Sequence, residues 1–256
     1  AAHVIGIGVG TPGPVRDDGV LSVAVNLGWT KEFNINDRLT ELLNGIYVKA
    51  GNDANVAALG EMWKGGGQGY NSIVAVTLGT GVGGGIVVNG KMLTGSTGSG
   101  GEIGHIHIED DEPDACNCGN HGCLEQYASA TGIVRLAKRT LVSCDDPSVL
   151  RTEEISAKSV FDAVKAGDKV ADEIAKKFGT YLGKGLSVIA GVVNPEAFVI
   201  GGGVSKAGEV IFKYIQPVFD KYVFSGSSNA VFTLAKLGND AGMYGSCKLV
   251  LDSVKD

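Results

Sequence analysis

Apolar and polar positions along the chain alternate between short strand-like runs and helical patterns. Val4-Ile5-Gly6-Ile7-Gly8-Val9 is apolar enough to read as a buried strand, and the turn Thr11-Pro12-Gly13-Pro14 separates it from a second run, Val20 to Val25. An amphipathic helix is expected over Asn36 to Leu43 and a strand over Ile46 to Lys49. Asn52 or Asp53 can cap a helix through Ala57, Leu59 and Trp63, which Gly65-Gly66-Gly67-Gln68-Gly69 ends. The next unit differs in kind. Ile73 to Leu78 reads as a strand, Gly79 to Gly85 as a glycine loop and Ile86-Val87-Val88 as a strand, with a hairpin turn at Asn89-Gly90. A glycine-rich stretch, Gly95 to Gly104, leads into His105 to Ile108 and a group of cysteines. In the second half Val170, Ile174, Phe178, Leu182, Leu186 and Ile189 recur at helical spacing, and Asn194-Pro195 ends that helix. Phe198 to Ile200 is expected as a strand and Gly201-Gly202-Gly203 as the opening of the next helix. Val231 to Leu237 is expected as the last strand and Asp240 to Val254 as the last helix. Together these elements predict an α/β protein with mixed sheets, built as two lobes.

Composition changes this picture at one point. Glycine supplies 40 of 256 residues, roughly twice its usual share of about 7%, as expected where backbone approaches a ligand or another backbone closely. A net charge of −6 argues against a nucleic-acid surface, which needs a basic face. It leaves room for a phosphorylated small molecule held by backbone amides. No apolar run approaches the roughly 20 residues that span a bilayer, nor does a secretory signal open the chain, so a cytoplasmic protein is the default. The chain has no initiator Met and begins almost inside a strand pattern, from which we expect that strands precede it.

Three groups of residues carry candidate chemistry. Gly79-Thr80-Gly81-Val82-Gly83-Gly84 fits the GxGxxG string, but a strand rather than a helix follows, so the dinucleotide-binding context fails. What stays open is either a nest of amides for phosphate, with Thr80 as a further donor, or a glycine hairpin without a ligand. Gly201-Gly202-Gly203 poses the same choice between nucleotide contact and close packing. Cys116, Cys118 and Cys123 lie within eight residues, a spacing that reads as a zinc site lacking one ligand. His105, His107 and His121 are candidates for the fourth; on a strand over Ile103 to Ile108, His105 and His107 would share a face. Cys144 and Cys247 are expected to be ordinary buried residues. Asp53, at a strand-to-helix junction, is either a helix cap or a carboxylate held for chemistry at the positive helix end. Glu102 and Glu125 read equally as surface acids.

In combination these strings resemble the ROK family of sugar kinases and sugar-responsive repressors. The resemblance runs through Thr11-Pro12-Gly13-Pro14-Val15, Gly51-Asn52-Asp53-Ala54-Asn55, Thr77 to Gly84, Gly101-Glu102-Ile103-Gly104-His105, and CxCGxxGCxE ending at Glu125. Within the family the chain is most similar to the bacterial glucokinases. The resemblance implies a two-lobed, actin-like (ribonuclease H-like) ATPase fold. Residues 1–57 and 243–256 would form a small lobe, and residues 58–242 a large lobe with a zinc-binding loop. It implies transfer of a phosphoryl group from ATP with Mg²⁺ to a hexose, with glucose as the expected substrate and glucose 6-phosphate as the product. Asp53 would be the general base. Asn52, Glu102, His105 and Glu125 would bind the sugar. Gly79, Thr80, Gly81 and Gly83, with Gly201, Gly202 and Gly203, would meet the nucleotide. His105, Cys116, Cys118 and Cys123 would hold a structural Zn²⁺. A homodimer or homotetramer is implied too, with no membrane or nucleic-acid partner for this chain. The alternative is a sugar-responsive regulator whose DNA-binding segment lies before Ala1; a zinc enzyme acting on sugars is a weaker third reading. The family's kinases also carry an Asp-x-Gly-Gly-Thr phosphate loop near their start. That string does not occur here and would fall before Ala1, so we expect this polypeptide alone to be a poor kinase and the full-length protein to be competent.

Overall fold

The computed structural model describes residues 3–22 and 27–254. Strand β1 (Ile7–Thr11) lies parallel to β4 (Val48–Asn52), and the short strands β2 (Val20–Leu21) and β3 (Phe33–Asn34) pair antiparallel beside helix α1 (Ile35–Leu42). Helix α2 (Asp53–Lys64) leaves β4 directly. A five-stranded sheet follows in the order β7-β6-β5-β8-β9, formed by Lys91–Met92, Val82–Val88, Ile73–Leu78, Ala197–Gly201 and Val231–Leu234. In it β5 is antiparallel to β6 and parallel to β8, which is parallel to β9, so the sheets are mixed as expected.

Helices α3 (Glu125–Ala128), α4 (Ala130–Ser143), α5 (Ala157–Lys165), α6 (Lys169–Val193) and α7 (Phe212–Tyr222) surround the larger core, where Phe161, Phe178, Phe198 and Phe219 are fully buried. The apolar stripe expected of α6 is buried at all six of its positions. The helix ends at Asn194, whose φ of 49° stops it just before Pro195. Helix α8 (Ala241–Ser253) packs on α2 and β1. The crossing of α8 with α2 is backbone against backbone. A Cβ on Gly60 would lie 2.1 Å from the Ala241 oxygen, and one on Gly245 only 1.7 Å from the Val56 oxygen. Helix α2, which starts at Asp53, thereby touches both the small sheet and strands β5 and β6 of the large one.

Several boundaries differ from the sequence pattern. Val4 and Ile5 are exposed and the first strand begins at Ile7, where its register with Val48 of β4 starts; among the described residues β1 pairs with β4 alone. Of the run Val20 to Val25, only Val20 and Leu21 form a strand, and Val23 to Val25 fall outside the described residues. Strand β6 begins at Val82, so the last three glycines of the expected loop lie in the strand. Gly84 and Gly85 are packing glycines: a Cβ would meet the Gly101 oxygen at 2.5 Å on one and the Ala54 oxygen at 2.6 Å on the other. The last strand stops at Leu234 rather than Leu237, since the Lys236 and Leu237 amides turn to Glu61. Cys144 is half-buried and Cys247 exposed, against expectation. The buried stripe of α8 runs through Ala241, Gly245, Leu249 and Val250, which leaves position 247 off that face.

Candidate active site

The junction of β4 and α2 is set by Asn52. Its Oδ1 accepts the Ala54 and Asn55 amides at 3.0 and 3.2 Å, a helix cap, and its Nδ2 donates to the Gly13 oxygen in the Thr11–Pro14 turn at 3.2 Å. With Oδ1 doubly occupied, Asn52 has only its second amide hydrogen to offer a ligand. Asp53, next in the chain, is exposed; its Oδ1 accepts the Ala54 amide at 2.8 Å. The carboxylate borders a cavity of about 480 Å³ with Gly8, Gly10, Asn239 and Ser246.

Asn55, close behind on the same helix, is buried and donates to the Gly100 oxygen at 3.3 Å, docking the glycine stretch on α2. Glu102 follows in that stretch, exposed, just ahead of a single 3₁₀ turn over Ile103–His105. The expected strand over Ile103 to Ile108 is therefore absent, apart from a lone bridge between His107 and Cys123. The turn separates the histidines. His107 bonds Asp110 and the His121 oxygen, His121 bonds the Glu112 oxygen, and only His105 faces the cysteines.

His105, Cys116, Cys118 and Cys123 bring their ligand atoms within 4.8 Å of one another. The Cys118 and Cys123 sulfurs are 3.6 Å apart, and the Cys116 sulfur is 3.8 Å from His105 Nδ1. A tetrahedron with Zn–S of about 2.3 Å and Zn–N of about 2.0–2.1 Å has edges of about 3.6–3.8 Å. The four groups thus fit zinc in donor type and spacing. Burial pushes the Cys123 thiol up to about 12 and raises Cys116 as well, so a metal must displace protons to bind. With Nδ1 turned to the sulfurs, His105 Nε2 lies 4.0 Å from Glu102 Oε2. Glu125 closes the group: one oxygen is 3.6 Å from the Cys116 sulfur and the other accepts the Val82 amide at 3.0 Å. A Cβ on Gly81 would come within 2.1 Å of that second oxygen, so this glycine makes room for Glu125.

Beneath the cysteine loop lies a charged anchor. The fully buried carboxylate of Glu112 is held by Arg135, Arg139, the Tyr127 hydroxyl and the Asp114 amide. Burial alone would raise its pKa, but the hydrogen bonds from Arg139, Tyr127 and Asp114 and the charge of Arg135 outweigh that and hold it at about 2.

Of the two glycine runs only Gly201–Gly203 lines the cleft of about 500 Å³ where the parallel strands β5 and β8 end, with Thr77 and Lys206 beside it; Gly79, Thr80, Gly81 and Gly83 are not among its lining residues. Ala54, Ala57 and Glu61 of α2 and Lys236 and Asn239 line the remainder. Asn239 borders both this cleft and the cavity of Asp53. The hairpin turn differs from the expected nest. None of Gly79 to Gly85 has a positive φ, and the Gly79 amide already donates to the Gly81 oxygen at 3.0 Å. The turn is also pinned to α4, since the Gly79 and Thr80 oxygens accept from the Ala130 amide and the Thr131 hydroxyl. Gly202, at φ 84°, packs against Leu78, and Gly201–Gly203 open a 3₁₀ turn rather than an α-helix.

The family model that matches this chain is described as the ROK family and covers residues 1–253. The chain belongs to the ROK family. It is 45% identical to a glucokinase of Halalkalibacterium halodurans, over 97% of this chain and 77% of that protein. A crystal structure of a ROK family glucokinase from Streptomyces griseus, in complex with glucose and AMPPNP, superimposes with a TM-score of 0.78 at 33% identity. That likeness covers 98% of this chain and 82% of that one. A xylose repressor of Caldicellulosiruptor bescii is 28% identical, over 98% of this chain and 63% of its own length. The mixed-sheet α/β architecture is that of the ROK sugar kinases.

In this ROK chain the structure gathers Glu102, His105, Glu125 and the three cysteines into one connected group, and Asn52 and Asp53 stand at the start of α2, on which the glycine stretch before Glu102 docks through Asn55; among the described residues no hydrogen bond joins Asn52 or Asp53 to the first group. Several residues of the site carry no signal in the sequence pattern, among them Asn239, Lys206 and Lys236 of the cleft wall. Glu112 and Glu61 are buried acids with no local signature, and Asn55 sits in a quoted motif without an assigned task.

Proposed function

We propose that this chain forms the phosphoryl-transfer body of an ATP-dependent glucose kinase, producing glucose 6-phosphate. The observation that carries the reading is the placement of Asp53. An exposed carboxylate at the start of α2 borders one cavity, and Asn239 links that cavity to the glycine-walled cleft. The 45% identity to a glucokinase supports the choice of glucose. ATP in the cleft between Gly201–Gly203 and α2 would present its γ-phosphate toward Asp53. The base accepts the proton of the sugar hydroxyl while that oxygen forms the new P–O bond. The bond to the bridging oxygen breaks and ADP departs. Mg²⁺ bound with the nucleotide supplies charge neutralisation on the phosphate oxygens.

The remaining residues position the sugar. Glu102, His105 Nε2, Glu125 and the free amide hydrogen of Asn52 offer both acceptors and donors, which suits a polyol whose hydroxyls each do both. His105 Nδ1 and the three sulfurs would hold Zn²⁺, which would fix the histidine ring and leave Nε2 free to bond the sugar. Gly79, Gly81 and Gly83 would meet the nucleotide phosphates rather than the sugar, through close backbone approach, and Thr80 through its hydroxyl. Residues 1–57 with 243–256, and residues 58–242, would form two lobes around the sugar that exclude water, with helix α2 running unbroken across their boundary. The working protein is a cytoplasmic homodimer or homotetramer, which sedimentation of the full-length protein tests. Among the described residues no helix is long and apolar enough to cross a membrane.

A coupled assay of the full-length protein against glucose, mannose, fructose and N-acetylglucosamine tests the reading. Asp53→Asn should lower kcat by about 10²–10⁴-fold with glucose affinity nearly intact. Equal loss of glucose affinity would make Asp53 a binding residue and overturn the assignment. Turnover of none of these sugars, together with specific DNA binding, would favour the regulator reading, which the xylose repressor likeness supports.

A further inference from the structure

Glu61 has no part in the chemistry above, yet it is the most constrained acid of helix α2. It is only 4% exposed and lines the cleft beside Ala57 and Lys236. Its Oε1 accepts the Leu237 amide at 2.8 Å, and its Oε2 accepts the Gly66 amide at 2.7 Å and the Lys236 amide at 3.0 Å. Among the described residues no cation pairs with it, so three backbone N–H groups alone compensate a buried carboxylate. Such charge-assisted bonds are short and strong.

The partners come from two distant segments. Gly66 belongs to the glycine run that ends α2, and Lys236 and Leu237 begin the stretch that reaches Asn239 on the cleft wall. The glycines serve this contact. A Cβ on Gly65 would lie 1.9 Å from Glu61 Oε2, and one on Gly66 would lie 2.2 Å from the Leu234 oxygen. The Thr233 hydroxyl also donates to the Gly66 oxygen at 3.0 Å, tying β9 to the same elbow. Glu61 stands eight residues from Asp53 on one rigid helix, about 12 Å along its axis.

We propose that Glu61 and the Gly65–Gly67 elbow form a positioning device that sets the Lys236–Asn239 wall against the Asp53 helix, so that a nucleoside triphosphate in the cleft is held at a fixed distance from the base. The proposal rests on the kinase reading for its reaction, but the coupling itself is a matter of nucleotide affinity. Gln at position 61 keeps the shape but turns an NH₂ toward N–H donors, which releases part of the wall. Glu61 is therefore a positioning residue, acting through Lys236 and Leu237.

The test uses the full-length protein with AMPPNP and glucose titrated separately by calorimetry, alongside steady-state kinetics. Glu61→Gln should weaken AMPPNP and raise KM for ATP by about ten- to a hundredfold, the loss expected for one or two bonds to a charged group. Glucose affinity without nucleotide should stay within about twofold, and kcat at saturating ATP should fall less than KM rises. Gly65→Ala, which displaces the carboxylate without removing its charge, should reproduce the pattern. Unchanged AMPPNP affinity in either variant overturns the proposal, as does parallel weakening of both ligands. If Glu61→Gln gives no cooperative melt, Gly65→Ala carries the test, and loss of the fold in both counts against the device. Failure of the wild type to phosphorylate glucose would sink the substrate assignment and leave the AMPPNP comparison standing.

Discussion

The crossing of α2 and α8 supports the sharpest stability prediction. At Gly245 a Cβ would stand 1.7 Å from the Val56 oxygen. Ordinary contact begins at 3.4 Å, so that oxygen must recede by half of this, about 1.7 Å. It is a backbone atom inside a helix and cannot rotate aside, so the two helices must separate. Overpacking of this kind costs about 1–3 kcal/mol or more, against a gain of about 1 kcal/mol in helix propensity from alanine. Gly245→Ala should therefore lose about 2 kcal/mol in urea unfolding. Because α2 carries Asp53, the shift should also reach turnover, where a displacement of about 1 Å can cost about 10²-fold. The control lies on the same helix. Gly242 has open space where a Cβ would go, and Gly242→Ala should be neutral or stabilise by up to about 1 kcal/mol. If Gly245→Ala unfolds with the wild-type midpoint and keeps its kcat, the close crossing does not set the position of the base.

Other consequences follow from the same geometry. Glu112 has its pKa held at about 2, below the ordinary value of 4.5. Its contribution, roughly 3 kcal/mol by linkage, is complete above pH 4.5 and is lost as pH falls toward 2. Glu112→Gln should flatten stability between those limits in acid titrations followed by circular dichroism, and an unaltered acid slope would contradict this. Chelating the metal at neutral pH should lower the melting temperature and raise KM for glucose, both reversed by added Zn²⁺; a metal-free protein with unchanged melting and KM would refute the zinc assignment. Gly81→Ala should push Glu125 away and raise KM for glucose by about tenfold, the loss of one charged hydrogen bond. A rise in KM for ATP alone would refute that role for Gly81 and leave the turn solely as the nucleotide contact the family resemblance implies.

Much of the molecule was legible from residue pattern because the signals were local. The α6 stripe, its stop at Asn194-Pro195, the Asn89-Gly90 turn and the cap at Asn52 each follow from neighbours a few positions apart. The three cysteines pointed to a cluster with metal-ligand spacing for the same reason, and the fold brings them together with His105. Their fourth partner did not follow from spacing, because a strand would have placed His105 and His107 together, whereas the 3₁₀ turn separates them.

Residue pattern alone sufficed for the α/β class, the excess of glycine, the cysteine cluster and the strings shared with the ROK family. What each glycine is for emerged from the packed fold. Gly84 and Gly85 admit neighbouring backbone, Gly81 admits Glu125, and Gly60 and Gly245 admit a second helix. It also decided which acids are held and which stand open: Glu61 and Glu112 are buried by partners that include residues far away in the chain, and Asp53 stands exposed. The difference is one of range. Capping and periodicity act within a few residues, but close approach and the compensation of a buried charge depend on what the rest of the chain brings to that place.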